Sequence, residues 1–548
     1  MRELPRRTLA RTRRAAHAGE IRRQRAHMGR VRNILFIMAD QLRADYLSCY
    51  GHTRLQTPAL DGLARRAVRF SRSYVNATIC GPSRMCYYTG RSMTSHGSTW
   101  NTVPLRVGEP TLGDHLRALG LRTALVGKTH VAADWDGMGR LGLSPVSRAG
   151  LFAQECGFEP YERDDGLHPD ASVDPDLAYN TYLRDLGYDA PNPWHSAANA
   201  GTDSHGELLS GWYMRNAMAQ ARVAEEHSET AYMTNRAMDF LREAGDEPWC
   251  LHLSYIKPHW PYIAPAPYHA MFGADDILPA NRSPKERENP HPVYAAYMRH
   301  TESESFAREE VRRAVIPVYM GLIRQIDDHL ARLFAFVEER GLMENTMIVF
   351  CSDHGDYLGD HWLGEKELFH EESVRAPLII YDPSPEADAR RGVVDERLVE
   401  AIDLVPTFIE ACGGSVPDHI LEGRSLLPAL RSDGTVAFRD VAVSELDYAF
   451  RAARAELGVA ADRARAWMLR GERWKYIFYE GFRPQLFDLV NDPQEREDRG
   501  DDPDSAAIRR EHSDMLFEWL RRRHTRITVT NSYVTTRKRA SGIIIGEW

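Results

Sequence analysis

The chain has 548 residues, 43% of them hydrophobic, enough to bury a large core and more than one compact unit. Its formal net charge of −9 gives no electrostatic footprint for nucleic acid, and no apolar run approaches the length of a membrane span. Seven cysteines, at 49, 80, 86, 156, 250, 351 and 412, show neither paired spacing nor a C-x-x-C, which excludes a disulfide framework and suits reduced thiols in the cytoplasm.

Residues 1–31 stand apart. Arg6, Arg7, Arg13, Arg14, Arg22 and Arg23 crowd a stretch with almost no large apolar side chains. It reads as a disordered tail, or as sequence upstream of a true start at Met28. No hydrophobic segment follows Arg6-Arg7, so a twin-arginine export signal is excluded. At 33–39 an almost wholly apolar run predicts a strand buried on both faces of a parallel sheet, and Asp40 and Gln41 follow it at once. A helix is expected over 57–68. Next comes Cys80-Gly81-Pro82-Ser83-Arg84, closed by Thr89-Gly90-Arg91, with the form C-x-P-S-R-x-x-x-x-T-G-R. Pro82 suits the first turn of a helix, where its missing N–H costs nothing. That places Cys80 at a helix N-terminus, where free N–H groups and the dipole favour an anion. Arg84, one turn on, adds a fixed positive charge on the same side. Asn101 lies in a turn-like stretch, Trp100-Asn101-Thr102-Val103-Pro104.

A helix over 111–119 precedes a strand at 123–126, which leads into Lys128 and His130, two apart and on one side of an extended loop. Acidic, Pro-containing stretches at 162–176 and 189–207 read as long loops that rim a substrate entrance. A helix over 228–243 is followed by a strand at 249–254 that opens into Lys257-Pro258-His259. After a helix over 311–340, the strand at 346–351 ends in Ser352-Asp353-His354-Gly355, and Lys366 follows in Leu363-Gly364-Glu365-Lys366. From 436 the pattern changes to short candidate strands at 441–444, 466–469, 474–478 and 485–487, then a helix over 504–523. The last segment, 524–548, alternates at 526–530 and ends in Ile543-Ile544-Ile545. Apolar residues at a terminus need cover, so this tail is expected to cross to a neighbouring subunit of a homodimer or homotetramer.

Strands alternating with helices predict a large doubly wound mixed α/β sheet flanked by helices over 32–435. A smaller C-terminal α+β domain, a short antiparallel sheet plus a helix, is expected over 436–523. In such sheets ligands bind outside the carboxyl ends of the strands, and four strands deliver polar groups there. Asp40, Gln41, Asp353 and His354 combine hard oxygen donors with one imidazole, a set that suits Ca²⁺, Mn²⁺ or Mg²⁺. Either Asp alone is equally a turn or helix cap. Taken singly, Lys128, His130, His259, Lys366 and Asn101 are equally ordinary loop, turn or packing residues.

The C-x-P-S-R motif with its T-G-R coda resembles the signature of type I sulfatases, in which this cysteine is oxidised to formylglycine. From about Arg32 to about Arg523 the chain is similar to the sulfatase and phosphonate monoester hydrolase branch of the alkaline phosphatase superfamily. The likeness includes His227-Ser228-Glu229-Thr230, Pro267-Tyr268-His269-Ala270-Met271-Phe272 and Gln485-Leu486-Phe487-Asp488-Leu489. The resemblance implies an alkaline-phosphatase-like fold and one divalent metal, Ca²⁺ or Mn²⁺, surrounded by Asp40, Gln41, residue 80, Asp353 and His354. It implies that a formylglycine-generating enzyme converts Cys80, that Arg84, Lys128 and His130 hold and activate the hydrated aldehyde, and that Asn101, His259 and Lys366 contact the transferred group and the leaving oxygen. On this pattern the hydrate attacks sulfur, Lys366 or His259 protonates the departing oxygen, and His130 takes a proton from the second hydroxyl so that sulfate leaves and the aldehyde returns.

Lys128 and His130 resemble the sulfatases proper, since phosphonate hydrolases tend to carry Tyr and Thr there. The stretches 100–105 and 254–272 resemble the phosphonate branch, as does His354, where many sulfatases have Asn. The expected activity is hydrolysis of small aryl or alkyl sulfate monoesters, with neither nucleic acid nor membrane as a partner. Phosphonate monoester or phosphate diester hydrolysis at the same site is the alternative.

Overall fold

A computed structural model describes residues 31–168, 177–432 and 436–536. The Arg-rich segment 1–30, the loop portion 169–176, the junction 433–435 and the Ile543-Ile544-Ile545 end of the tail lie outside the described residues.

The apolar runs become the centre of an eight-stranded sheet. In chain order its strands are β1 (Asn33–Asp40), β2 (Val68–Tyr74), β3 (Arg122–Gly127) and β4 (Glu159–Arg163), then, after a separate hairpin of β5 (Ala200–Thr202) and β6 (Leu208–Ser210), β7 (Trp249–Pro258), β8 (Thr346–Ser352), β9 (Leu378–Tyr381) and β10 (Val394–Glu400). Their spatial order is β10-β2-β9-β8-β1-β7-β3-β4. Only β9 runs antiparallel to its neighbours; every other pair is parallel. β1, β7 and β8 are buried at every position, as strands covered on both faces must be.

The period of two in a strand divides the core between the faces. Ile34, Phe36 and Met38 of β1 enter one apolar cluster with Tyr87, Val349 and Phe408. Leu35, Ile37 and Ala39 enter the other with Phe240, Val318 and Phe350. Six helices matter here: α1 (Pro58–Ala64), α2 (Cys80–Thr89), α3 (Leu112–Ala118), α4 (Glu229–Ala244), α5 (Glu309–Glu339) and α6 (Ala506–Arg521).

The C-terminal strands β11 (Ala442–Asp447), β12 (Arg465–Arg470), β13 (Trp474–Tyr479) and β14 (Gln485–Asp488) form an antiparallel sheet in that order. One face, with Ala442, Leu446, Met468 and Ile477, is continuous with the first main cluster. The other, with Val443, Trp467, Leu469 and Tyr476, is covered by Leu516 of α6. The C-terminal unit therefore shares its inner core with the large sheet.

Two loop expectations are corrected. The stretch 162–176 begins inside β4, a strand at the end of the sheet, where Pro160 and charged neighbours are tolerated because one edge carries no partner. The stretch 189–207 is organised by the fully buried Trp194, whose indole donates to Glu229, and it contains a π-helical turn at Trp194–Ala198 and strand β5. The alternation at 526–530 forms no strand among the described residues; a short exposed helix, Asn531–Thr536, follows it. No helix among the described residues is long and apolar enough to cross a membrane.

Candidate active site

β8, β1, β7 and β3 are consecutive and parallel, so their carboxyl ends open on one edge. α2 points its first residue at that edge. It begins at Cys80 after Ile79, an extended cap, with Pro82 in its first turn, and all ten of its residues are buried. The close approach at its start needs a glycine: a Cβ on Gly81 would stand 2.9 Å from Asn101 Oδ1 and 3.1 Å from Asn101 Cα. Instead the Gly81 N–H donates to Asn101 Oδ1 at 2.8 Å. At the far end Gly90, left-handed at φ 64°, closes the helix and Arg91 pairs with buried Glu109. The T-G-R coda thus anchors the helix away from the chemistry.

The residues singled out in the sequence converge on Cys80. Its Sγ lies 3.1 Å from His354 Nε2 and 3.9 Å from Asp40 Oδ1, and the side chains of His130 and His259 both interact with the thiol. Arg84 Nε donates to Asp353 Oδ2 at 2.8 Å, and its Nη2 stands 3.3 Å from Asp40 Oδ2. Lys128 Nζ is 2.5 Å from that same Asp40 oxygen. Lys366 Nζ donates to Gln41 Oε1 at 2.9 Å and lies 3.2 Å from His259 Nε2. All eleven candidates therefore surround one centre.

Residues 32–414 match the family described as Sulfatase. The chain belongs to the sulfatase family. Residues 359–522 also match the description N-sulphoglucosamine sulphohydrolase, C-terminal. The multifunctional alkaline phosphatase superfamily protein PehA of Trinickia caryophylli is 31% identical, over 91% of this chain and 97% of that protein. An arylsulfatase of Clostridium perfringens is 26% identical, over 84% of this chain and 89% of its own length. The crystal structure of the phosphonate monoester hydrolase of Agrobacterium radiobacter is similar with a TM-score of 0.78 at 28% identity, covering 90% of this chain and 96% of that one.

The sulfatase-family site carries strong opposing charges in a buried space. Burial alone would raise Asp40, but Lys128, His259 and Arg84 hold it well below the usual carboxylate range. Burial would lower His354; the charges of Asp353 and Cys80 overcome it and push the imidazole up to about 9. Burial would likewise raise the Cys80 thiol, which Lys366, His354 and Lys128 hold well below its ordinary value. One ligand atom from each of Asp40, Cys80, Asp353 and His354 lies within 4.8 Å of the others. Asp40 Oδ2, fully buried, is faced by the Lys128 ammonium and the Arg84 guanidinium. Two carboxylates and an imidazole in that arrangement fit a hard divalent cation.

Four supporting residues escaped the sequence reading. Asp356, fully buried, accepts from the Gln41 amide and from Tyr262 Oη at 2.8 Å, which fixes the amide's orientation. An Asp three residues after Asp353 in the same post-strand loop was the available signal. Ser254 Oγ and the Lys128 carbonyl take the remaining Arg84 donors, each at 2.8 Å. Asp165, in the stretch expected only to rim the entrance, accepts from the Thr129 and His130 N–H groups, each at 3.0 Å, and braces the loop that carries His130.

Proposed function

We propose that this protein hydrolyses sulfate monoesters of small alcohols or phenols, using a formylglycine made from Cys80 and one divalent cation, Ca²⁺ or Mn²⁺. The observation that carries the reading is the buried focus at the start of α2, where three cationic side chains (Arg84, Lys128, Lys366) and three imidazoles (His130, His259, His354) surround residue 80. The arylsulfatase among the relatives supports it. Maturation requires a formylglycine-generating enzyme, and seven cysteines without disulfide spacing support a cytoplasmic setting.

Once oxidised, residue 80 would supply a hydrated aldehyde as nucleophile, and Asp40, Gln41, Asp353 and His354 would hold a cation whose chemistry there would be to polarise the ester oxygens. The chain's own groups do the rest. Arg84 and Lys128, with His130, hold and activate the hydrated aldehyde beside the α2 N-terminus, whose dipole favours negative charge. Asn101, locked by the Gly81 N–H, borders the transferred group. Lys366 Nζ and His259 Nε2, 3.2 Å apart, face the departing oxygen and deliver its proton. His130, steadied by Asp165, accepts the proton that releases sulfate. Lys128 and Lys366 are at most 8% exposed, so these charges act in a site with little water.

Phosphonate monoester hydrolysis is the second reading, favoured by His354 and by the similar solved structure. The deciding measurement is kcat/KM for 4-nitrophenyl sulfate against 4-nitrophenyl phenylphosphonate, together with the mass of the peptide containing residue 80. We expect the sulfate to be preferred, the peptide to carry the aldehyde, and Cys80→Ala to abolish turnover. A higher kcat/KM for the phosphonate would install the second reading, and full activity with an unmodified thiol would sink both.

A further inference from the structure

The loop that carries Lys366 is unusual in its backbone. Leu358, His361, Trp362, Glu365 and Glu367, none of them glycine, have φ of 49°, 52°, 61°, 61° and 98°. Side chains rarely adopt that region, and it persists only where the surroundings over-determine it. Lys366 stands directly between two such residues, so what holds Glu365 and Glu367 also sets where its ammonium points.

The holding groups come largely from the C-terminal unit. Arg451, between β11 and β12, places Nε 3.0 Å from Glu367 Oε2. It also pairs with Glu302 and donates to His300 Nδ1 at 3.0 Å, so it is itself held from two directions. Lys475 of β13, fully buried, donates to the Phe369 carbonyl at 2.8 Å, three residues past Lys366. The Glu367 carbonyl accepts from Thr78 Oγ1, two residues before Cys80. Phe450, beside Arg451, stacks on Trp100 with ring centroids 5.2 Å apart, and Trp100 is next to Asn101. The segment Phe450-Arg451 therefore touches both the loop of Lys366 and the loop of Asn101.

We propose that Arg451 is a positioning residue that, through Glu367, holds the Lys366 ammonium toward the departing oxygen, so that the C-terminal unit sets proton delivery to the leaving group. The inference rests on the assignment of Lys366 as the proton donor. As the bond from sulfur to the leaving oxygen breaks, its electron pair moves to that oxygen. A proton from Lys366 Nζ neutralises it, and water returns a proton to the amine after the alcohol or phenol departs. A displaced ammonium should matter most where the leaving oxygen most needs the proton.

The test is the dependence of kcat/KM on the acidity of the leaving phenol, across a series from 4-nitrophenyl sulfate to phenyl sulfate. If the sulfates turn over too slowly, the same series is run with aryl phenylphosphonates. Lys366→Ala is the reference and should steepen the dependence. Arg451→Ala and Glu367→Gln should steepen it too, with phenyl sulfate losing on the order of tenfold more than 4-nitrophenyl sulfate. Arg451→Lys should recover part of the loss. Glu302→Gln, which removes the other carboxylate partner of Arg451 but leaves its contact with Glu367, should steepen the dependence less than Glu367→Gln does. Hydrogen exchange of the 362–370 peptide should rise in Arg451→Ala and Glu367→Gln. Should Arg451→Ala fail to fold, Glu367→Gln, equal in shape, carries the test. A steepened Lys366→Ala beside Arg451 and Glu367 variants that slow all substrates alike, or none, overturns the positioning role while the donor assignment stands. An unchanged dependence in Lys366→Ala overturns both.

Discussion

Arg84 shows how one buried side chain can gather the ends of several strands. Its guanidinium is fully buried, and its donors meet Asp353, Asp40, the Lys128 carbonyl and Ser254 Oγ, which draws the ends of β1, β3, β7 and β8 together around one cation. Removing one partner of a buried ion pair leaves the other charge uncompensated, at a cost of about 3–5 kcal/mol. We expect Arg84→Ala to lower the unfolding free energy by about that amount, read from the shift of the urea midpoint. Arg84→Lys should fall between the two, because an ammonium cannot reproduce the planar fork that meets four acceptors. An Arg84→Ala protein as stable as the parent would show that the two carboxylates are compensated by Lys128 alone.

The segment after β8 is held by charge as well as by packing. His361 Nδ1 lies 2.6 Å from Glu286 Oε1 and its Nε2 is 3.3 Å from Glu372 Oε2, while Asn281 Nδ2 stands 3.1 Å from the same Nε2. Its ring stacks on His370 at 3.9 Å. Burial would lower His361, but Glu372 and Glu286 push it up to about 10. Burial and the charge on His361 hold His370 well below its ordinary value. The folded value of His361 exceeds the unfolded value of about 6.5. Its stabilising contribution is therefore complete below that pH and fades as pH rises toward about 10. His361→Gln should flatten the decline of the denaturation midpoint across that window, and an unchanged slope would show that His361 is neutral in the folded protein. At this scale the sequence is legible where the periodic signal is long: α4 and α5 appear within about two residues of their expected bounds. β9, four residues long, and β4, at the sheet's end with Pro160 and charged neighbours, carry too little pattern to stand out from turns.

For the whole molecule, the large sheet and β11–β14 share one core, and the described start of the C-terminal tail carries exposed apolar side chains outside it. Tyr533 and Val534 are 51% and 46% exposed on the short helix after α6. We propose that residues 524–548 cross to a second copy of the chain. Light scattering should then give the mass of a dimer or tetramer, and deletion after Arg523 should reduce it. A full-length monomer would refute the arrangement.

The sequence by itself determined which residues gather at the carboxyl edge of the sheet. Residues that follow a parallel strand leave at its carboxyl end, so Asp40, Lys128, His259 and Asp353 were readable as one edge once their strands were recognised. The C-x-P-S-R run was readable as a helix start because Pro82 and the anion-favouring N-terminus are local matters. The tertiary structure decided which distant groups hold that edge in shape. Asp356 orients Gln41, Asp165 braces His130, and Arg451 and Lys475 reach the Lys366 loop from the C-terminal unit. No local pattern marks such partners, because a pair between Glu367 and Arg451 is set by the order in which sheets and loops pack, and a lone Asp, Arg or Lys reads the same in a solvated loop as beneath an active site.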